Sequence, residues 1–510
     1  MLRERKTLPG VKHQEVREYE TRHRQTALKI AREGVVLLEN KKSGEKPVLP
    51  LKKGTRIGLY GSGARKTIKG GSGSGDVNER SCVTIEQGLE HAGFVIEKKE
   101  WLDRYDQVKD ASIESWKNGI LARVNEAHPF TEIYFTTPYH GPEENKITEN
   151  EMPEDAEAVL YVISRISGEG ADRGNEPGDF LFSESEKENL KKLDETGKDL
   201  IVILNTGGLM DLAFADEFTN IRAIVQYVQA GQEGGNAFAD VFTGEVTPSG
   251  KMTDTWAKTY NDYPGAEVFS YKSGNLMKEY YEEGIFVGYR YFDTFQIPVR
   301  YGFGYGLSYT DFAITAGTVS VSDLGTMDPK VSVEVNVKNS GDTYAGKEVV
   351  QIYASCPQGE LVKEFRRLAG FGKTKLLAPG EEQQMRITFP LYQLASYSED
   401  QAAWILEPGK YGIWVGNELN TSVLSGALEL DQEAVMVQCE NICPLKEELN
   451  EIMPFARKVQ ARELAWHEEL KAKGFITISG RVNRQYFYER LYGTGNPQGD
   501  TTMSYKAGQE

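Results

Sequence analysis

The sequence predicts a doubly wound, mainly parallel α/β domain, then a small β-sandwich, then a helical C-terminal segment. Three observations carry this reading. Up to about residue 310, short continuous apolar runs alternate with helix-period segments, and from about 326 the apolar period becomes two. Beyond the sandwich the chain is highly charged, with apolar residues at every third or fourth position. A length of 510 residues also exceeds the roughly 250–300 residues at which single cores stop growing, so several domains are required.

TALKIAREGVVLLEN (26–40) reads as a helix carrying Leu28, Ile30 and Ala31 that runs into a strand at 35–38. RIGLYG (56–61), AVLYVIS (158–164), LIVILN (200–205) and AIVQYV (223–228) are uninterrupted apolar strands. Helices such as SESEKENLKKLDETG (183–197) separate them, the signature of parallel strands covered on both faces by crossovers. Residues 26–315 therefore form the α/β domain after a short segment 1–25. The polar stretch at about 101–155, with a helical pattern at 110–127, reads as an insertion on it.

In the sandwich, assigned to 326–420, VSVEVNVKNSG (331–341), EVVQIYAS (348–355), MRITFPL (385–391) and YGIWVG (411–416) alternate apolar and polar residues. Turn clusters APGEE (378–382) and EPGK (407–410) separate them. Residues 421–510 form a connector. Its segment CPLKEELNEIMPFARKVQARELAWHEELKAKGF (443–475) suits one or two amphipathic helices, and the polar end GTGNPQGDTTMSYKAGQE is expected to be disordered.

Fifty-nine basic residues against 76 acidic ones leave a net charge of −17. Such a chain repels phosphate backbones and anionic lipid, so neither nucleic acid nor a membrane surface is an expected partner. The N-terminus is charged throughout and no 18 apolar residues run together, which points to a cytoplasmic protein. Cys82, Cys356, Cys439 and Cys443 are too few and scattered for a disulfide framework. Cys439 and Cys443, four apart, read as neighbours on a helix face. The six histidines show no metal-site spacing, so no metal and no cofactor is expected.

Glycines follow the first good strand at 61, 63, 70, 71, 73 and 75, which raises a phosphate-binding loop as a possibility to test. It fails: Lys66 stands where both the third glycine of G-x-G-x-x-G and the second glycine of a P-loop belong. Neither Ser72 nor Ser74 has the flanking glycines of a nucleophile elbow. What remains is KGGSGSGD (69–76), a glycine-serine loop at the carboxyl end of a strand, either a ligand-cleft rim or a plain surface loop.

The strand AVLYVIS delivers Ser167-Gly168-Glu169-Gly170-Ala171-Asp172-Arg173 to the same sheet edge. Two glycines leave Glu169 free to project, either as a solvated side chain or as a general acid/base in a desolvating cleft. Asp172 and Arg173 read as a local ion pair shaping the loop. Aromatic residues of the insertion, including Trp101, Trp116, Tyr134, Phe135 and Tyr139, suit packing or stacking on sugar rings.

The ordered series REGVVLLEN (32–40), KGGSGSGD (69–76), VISRISGEGADR (162–173) with GDF (178–180), ILNTGG (203–208), QAGQEGGNAFADVFTGEVTPSGKMTDTW (229–256), YYEEGIFVGYRYFD (280–293) and YGFGYGLSYT (301–310) resembles glycoside hydrolase family 3, the β-glucosidase family. The sandwich resembles the fibronectin type III-like domain that follows in that family. The resemblance implies hydrolysis of β-glucosides or related oligosaccharides with retention. It assigns the acid/base to Glu169 and makes Gly71, Ser72, Gly73, Asp172 and Arg173 substrate-binding candidates. It also implies an aspartate nucleophile on a (β/α)₈ barrel.

That barrel does not fit in the sequence. Only about 20–25 residues precede the α/β domain, and fewer than 100 follow the sandwich, against roughly 250 for a barrel. The order of domains resembles the family's circularly permuted subset, with CPLKEELNEI (443–452) as its connector. No Ser-Asp-Trp-like nucleophile motif occurs, and Asp254, Glu282 and Glu283 fall in motifs that read as structural. The expectation is an acid/base-carrying portion of a hydrolase that needs a barrel, from a partner chain or otherwise. The alternative is a non-catalytic carbohydrate-binding or scaffold fragment, and the oligomeric state stays open.

Overall fold

The computed structural model describes residues 15–71, 75, 77, 79–137, 139–166, 172–275, 277–323, 328–443, 445–471 and 476–478. The chain folds as two compact units, one of residues up to 208 with 214–250, the other of 209–213 with the chain from 251 on.

The first unit begins with helix α1 (Glu18–Gly34), strand β1 (Val36–Asn40) and a small hairpin of β2 (Lys42–Ser43) and β3 (Lys46–Pro47). Strand β4 (Arg56–Tyr60), helix α2 (Ile85–His91) and strand β5 (Val95–Glu97) follow. The insertion contributes α3 (Glu100–Arg123) and α4 (Phe130–Phe135). The chain then runs through β6 (Ala158–Arg165), α5 (Glu184–Asp194), β7 (Asp199–Thr206), β8 (Ile221–Gln226) and α6 (Gly234–Phe242).

The sheet order is β1-β8-β7-β6-β4-β5, parallel except for β1, which pairs antiparallel with β8. Strands β6 and β7 are buried along almost their whole length, as their unbroken apolar runs require when helices cover both faces. Helices α2 and α5 start at capping boxes in which Thr84 and Ser183 accept from the amides of Gln87 and Glu186.

In the second unit, β9 (Trp256–Ala257), α7 (Tyr289–Phe295) and β10 (Val299–Tyr301) precede the sandwich strands β11 (Phe312–Ser322), β12 (Lys330–Asn339), β13 (Val349–Ser355), β14 (Arg367–Lys373) and β15 (Glu382–Pro390). The strands β16 (Ser396–Ser398), β17 (Ala403–Leu406), β18 (Gly409–Gly416), β19 (Val423–Leu430) and β20 (Ala434–Gln438) come next. Helix α8 (Ala456–Leu470) and strand β21 (Ile476–Ile478) end the described chain.

Sheet β11-β12-β15 and sheet β14-β13-β18-β19-β21 share a core that includes Val331, Val333, Val335, Ile352, Ile387 and Ile413. Along β12 only every second side chain is buried throughout, the period-two pattern of a sheet with one wet face. The α/β and β-sandwich classes read from the sequence are those observed.

Residues 421–510, expected as a helical connector, open instead with strands β19 and β20, which contribute apolar residues to the sandwich core. Beyond them the described residues form one helix, α8, within the one or two expected; Pro454 ends the irregular run before it, and α8 buries Val459, Trp466 and Leu470. Trp466 packs over Gly412 of β18, where any Cβ would lie 3.2 Å from its ring. Arg462 stacks on Phe365 and donates to the Asp293 carboxylate that also binds Arg366. Cys439 and Cys443 follow strand β20 in irregular chain, so they are not a helix-face pair; all four cysteines are free. The polar tail 493–510 lies outside the described residues. No helix among the described residues is long and apolar enough to cross a membrane.

Candidate active site

The sheet order places a topological switch between β4 and β6. From β4 the chain moves outward to β5 and then returns to the other side of β4 as β6. In open α/β sheets this reversal leaves a crevice at the carboxyl ends of the two strands, since their following loops diverge. The loops leaving there are the glycine loop after β4 and the loop that carries Glu169 after β6.

Glycines after β4 have a packing role. Gly61 has φ +93°, and a Cβ there would lie 2.2 Å from the Val162 carbonyl oxygen of β6. A Cβ on Gly63 would lie 2.7 Å from Ser164 Oγ, and the Gly63 amide donates to Val162 O at 3.2 Å. These glycines let two chains touch, which explains glycines here without any phosphate to cradle.

Asn205, fully buried at the end of β7, clasps three neighbours. Its Oδ1 accepts from the Ile68 amide at 2.7 Å and from Ser164 Oγ at 2.9 Å. Its Nδ2 donates to Ile68 O at 2.8 Å and to Val228 O at 2.7 Å. One amide side chain thus joins the loops after β4 and β8 to β6. Val228 is held at φ +58°, a strained conformation for a β-branched residue that the clasp helps to maintain.

The described chain on both sides of residues 167–171 is stapled in place. Arg165, the last residue of β6, forms a buried bidentate pair with Glu186 at 2.8 and 2.7 Å and donates from Nε to Asp179 O at 2.8 Å. Arg173 binds the Asp179 side chain at 2.6 Å, and the second oxygen of that carboxylate accepts from the Gly174 amide at 2.7 Å. The described chain on either side of residues 167–171 is thereby tied to Asp179.

Glu144, in the insertion, is buried beneath these elements. It accepts from the Ser62 amide at 2.6 Å and from the hydroxyl of Tyr161 on β6. Asn189 donates to the same hydroxyl and to Asn145 O. Burial, reinforced by the Glu186 carboxylate, pushes the Glu144 carboxyl up to about 7.

Of the predicted site residues, Glu169, Ser72 and Gly73 lie outside the described residues. Gly71 is half-buried at the end of the described part of its loop, Asp172 is exposed and Arg173 is half-buried. The expected Asp172–Arg173 pair is replaced by Arg173–Asp179, because Asp179 reaches both the guanidinium and the Gly174 amide from across the loop. In the insertion, Trp101 is buried and stacked on Tyr105, whereas Phe135 is exposed.

Sequence reasoning missed Asn205, Arg165, Glu186 and Glu144. The first two had a signal, a polar residue closing an otherwise apolar strand run; Glu144 sits in a polar segment and had none.

Residues 35–289, half of the chain, match the glycosyl hydrolase family 3 C-terminal domain, and residues 348–419 match the fibronectin type III-like domain. The chain is a member of glycoside hydrolase family 3. Among family relatives, β-glucosidase A of Butyrivibrio fibrisolvens is 34% identical over 472 residues, covering 82% of this chain and 52% of that protein. A β-glucosidase of Ruminococcus albus is 34% identical over 462 residues, covering 87% and 44%.

The solved β-glucosidase 3B of Thermotoga neapolitana in complex with α-D-glucose superposes with a TM-score of 0.68 at 34% identity, over 81% of this chain and 55% of that one. A β-glucosidase structure from Paenibacillus barengoltzii gives 0.71 at 31% identity, over 82% and 44%. The chain thus spans about half the length of the curated relatives it matches.

Proposed function

We propose that this chain is the acid/base-carrying part of a retaining β-glucosidase, acting on β-glucosides or short oligosaccharides. The observation that supports the reading is the occurrence of the family's S-G-E-G-A-D-R sequence just after β6. Strand β6 ends at the sheet's switch point, and Arg165 and Arg173, on the described chain flanking residues 167–171, both bind Asp179. The related proteins named β-glucosidase supply the substrate class.

In this reading a carboxylate on the part of the enzyme outside this sequence attacks the anomeric carbon as the bond to the leaving oxygen breaks. Glu169 gives that oxygen its proton. In the second step the Glu169 carboxylate takes a proton from water, and the water oxygen displaces the first carboxylate, releasing the sugar with its original configuration. The two carboxyl groups must approach to about 5–5.5 Å. Gly71, Ser72, Gly73, Asp172 and Arg173 are the proposed substrate contacts of this part of the enzyme. The setting is cytoplasmic, which free thiols suit.

The test is leaving-group dependence in the complete enzyme. Replacing Glu169→Gln removes the proton donor, so hydrolysis of cellobiose should fall about 10²–10⁴-fold, while a dinitrophenyl glucoside, which leaves without a proton, loses much less. Equal loss on both substrates, or no loss, removes Glu169 from the role. Sugar binding with no turnover by the completed wild-type enzyme would favour the scaffold reading.

A further inference from the structure

The insertion leaves several aromatic rings in water, and these rings touch one another. Phe130 and Tyr134 of α4 are stacked with 5.7 Å between ring centres, Phe135 stands 5.6 Å from Tyr134, and Trp116 of α3 lies 5.9 Å from Tyr134 and 5.5 Å from Tyr139. Phe130 is 49%, Tyr134 43% and Phe135 81% exposed, while Trp116 and Tyr139 are half-buried. Trp116 Nε1 donates to Thr137 O at 2.8 Å, which ties the chain leaving α4 to α3. Exposed apolar residues are ordinary one at a time, but rings in mutual contact form a single surface.

The surface belongs to the same side of the sheet as the candidate site. Near the start of α3, Trp101 packs edge-on against Tyr60, the last residue of β4, at 6.1 Å. Further along, Arg65 binds Asp103 at 2.6 Å and Asp106 at 3.3 Å, and Lys66 binds Asp110 at 3.1 Å. As the chain leaves β4 its partners climb α3, so the helix rises from the carboxyl edge of the sheet beside that chain. Trp116 follows Asp110 by about 9 Å at the helical rise.

Charge and chemistry narrow the ligand. In a protein at −17, residues 111–141 hold three glutamates against Lys117 and Arg123, so this surface is close to neutral. A β-linked glucose unit is uncharged, and with its substituents equatorial it shows an apolar C–H face that stacks on the negative face of an aromatic ring. Glu132, one turn before Phe135 and paired with His128 at 3.0 Å, stands ready to accept from sugar hydroxyls.

We propose that Trp116, Phe130, Tyr134 and Phe135 form a stacking surface for the glucosyl units of a β-linked oligosaccharide beyond the bond that is cut. The choice of sugar rests on the catalytic reading above, whereas binding itself needs only residues of this chain.

The test titrates the full chain calorimetrically with thio-linked cellotetraose, which resists hydrolysis. Binding should be measurable and should weaken about tenfold in Phe135→Ala and in Tyr134→Ala, whereas Phe371→Ala, at an exposed ring on β14, should leave it unchanged. Phe135 is exposed enough that its variant should melt with the wild type, which keeps the test decisive even where Tyr134→Ala disturbs α4. No heat with the wild-type chain, or equal binding by Phe135→Ala, overturns the proposal. So does a wild-type dimer that Phe135→Ala dissolves, since the rings would then serve a second copy. Binding lost in Phe135→Ala, alongside undiminished cellobiose hydrolysis by Glu169→Gln in the complete enzyme, would sink the catalytic reading and leave this surface standing. No tetraose binding, with hydrolysis lost in Glu169→Gln, would do the reverse.

Discussion

The carboxyl edge of the parallel sheet and two segments of the second unit, 277–287 and 442–455, paired through Lys278 and Glu447, are opposite kinds of surface. At the sheet edge, Asn205, Arg165, Glu186 and Glu144 are buried and each is met by several partners within its own unit. In the paired segments, Met277, Tyr281 and Phe455 stand largely exposed, with Lys458 Nζ 5.5 Å from the Phe455 ring centre. The first region is preorganised by itself, because buried polar groups left unpaired would cost more than the fold can spare. The second leaves large apolar side chains exposed. The contrast teaches that one chain can fix a sheet edge with its own buried polar groups and still leave large apolar side chains exposed elsewhere.

Four substitutions sharpen this contrast. The largest effect is expected from Glu186→Ala, which leaves the Arg165 guanidinium buried without its carboxylate and removes the capping box of α5. The cost should be about 3–5 kcal/mol of the first unit's stability in denaturant titration; a loss under about 1 kcal/mol would show that the pair does not hold the edge.

Glu144 gives a pH signature. Its carboxyl titrates near 4.5 when unfolded and about 7 when folded, so between these values the folded state holds the extra proton. Stability is therefore full at low pH and falls as pH rises through this window, by about 3 kcal/mol in all. Glu144→Gln should flatten that fall and make the protein more stable than wild type above pH 7. A fall with pH that is the same in the variant contradicts the assignment.

Asn205→Ala strips partners from Ile68, Ser164 and Val228 and should cost about 2 kcal/mol, with faster hydrogen exchange at the Ile68 amide. The smallest effect belongs to the other region. Tyr281→Lys should leave stability of the isolated chain within about 0.5 kcal/mol, since the ring buries little there. A large loss would mean that Tyr281 is packed.

The sequence made the strands of both units legible because burial on two faces and burial on one face leave different periods, as in AVLYVISR of β6 and VSVEVNV of β12. The antiparallel entry of β1 was not legible, since pairing direction leaves no mark on an apolar run. At the site, the end of β6 could be located because its apolar run is unbroken, whereas Glu169 lies outside the described residues. The Arg173–Asp179 pair could not, because residue adjacency suggested Asp172 while the loop's closure brings in Asp179. Glu144 was hidden for a related reason: its partners Ser62 and Tyr161 are distant in sequence, and only the return of the insertion to the sheet edge buries it.

The role of Glu169 is tested most directly by azide trapping. In Glu169→Gly within the completed enzyme, a dinitrophenyl β-glucoside still forms the covalent glycosyl intermediate, and azide enters the vacated acid/base side. The product should be β-glucosyl azide, with the starting configuration. The α-anomer would mean that Glu169 is the nucleophile, and unchanged hydrolysis with no azide product would mean that it is neither.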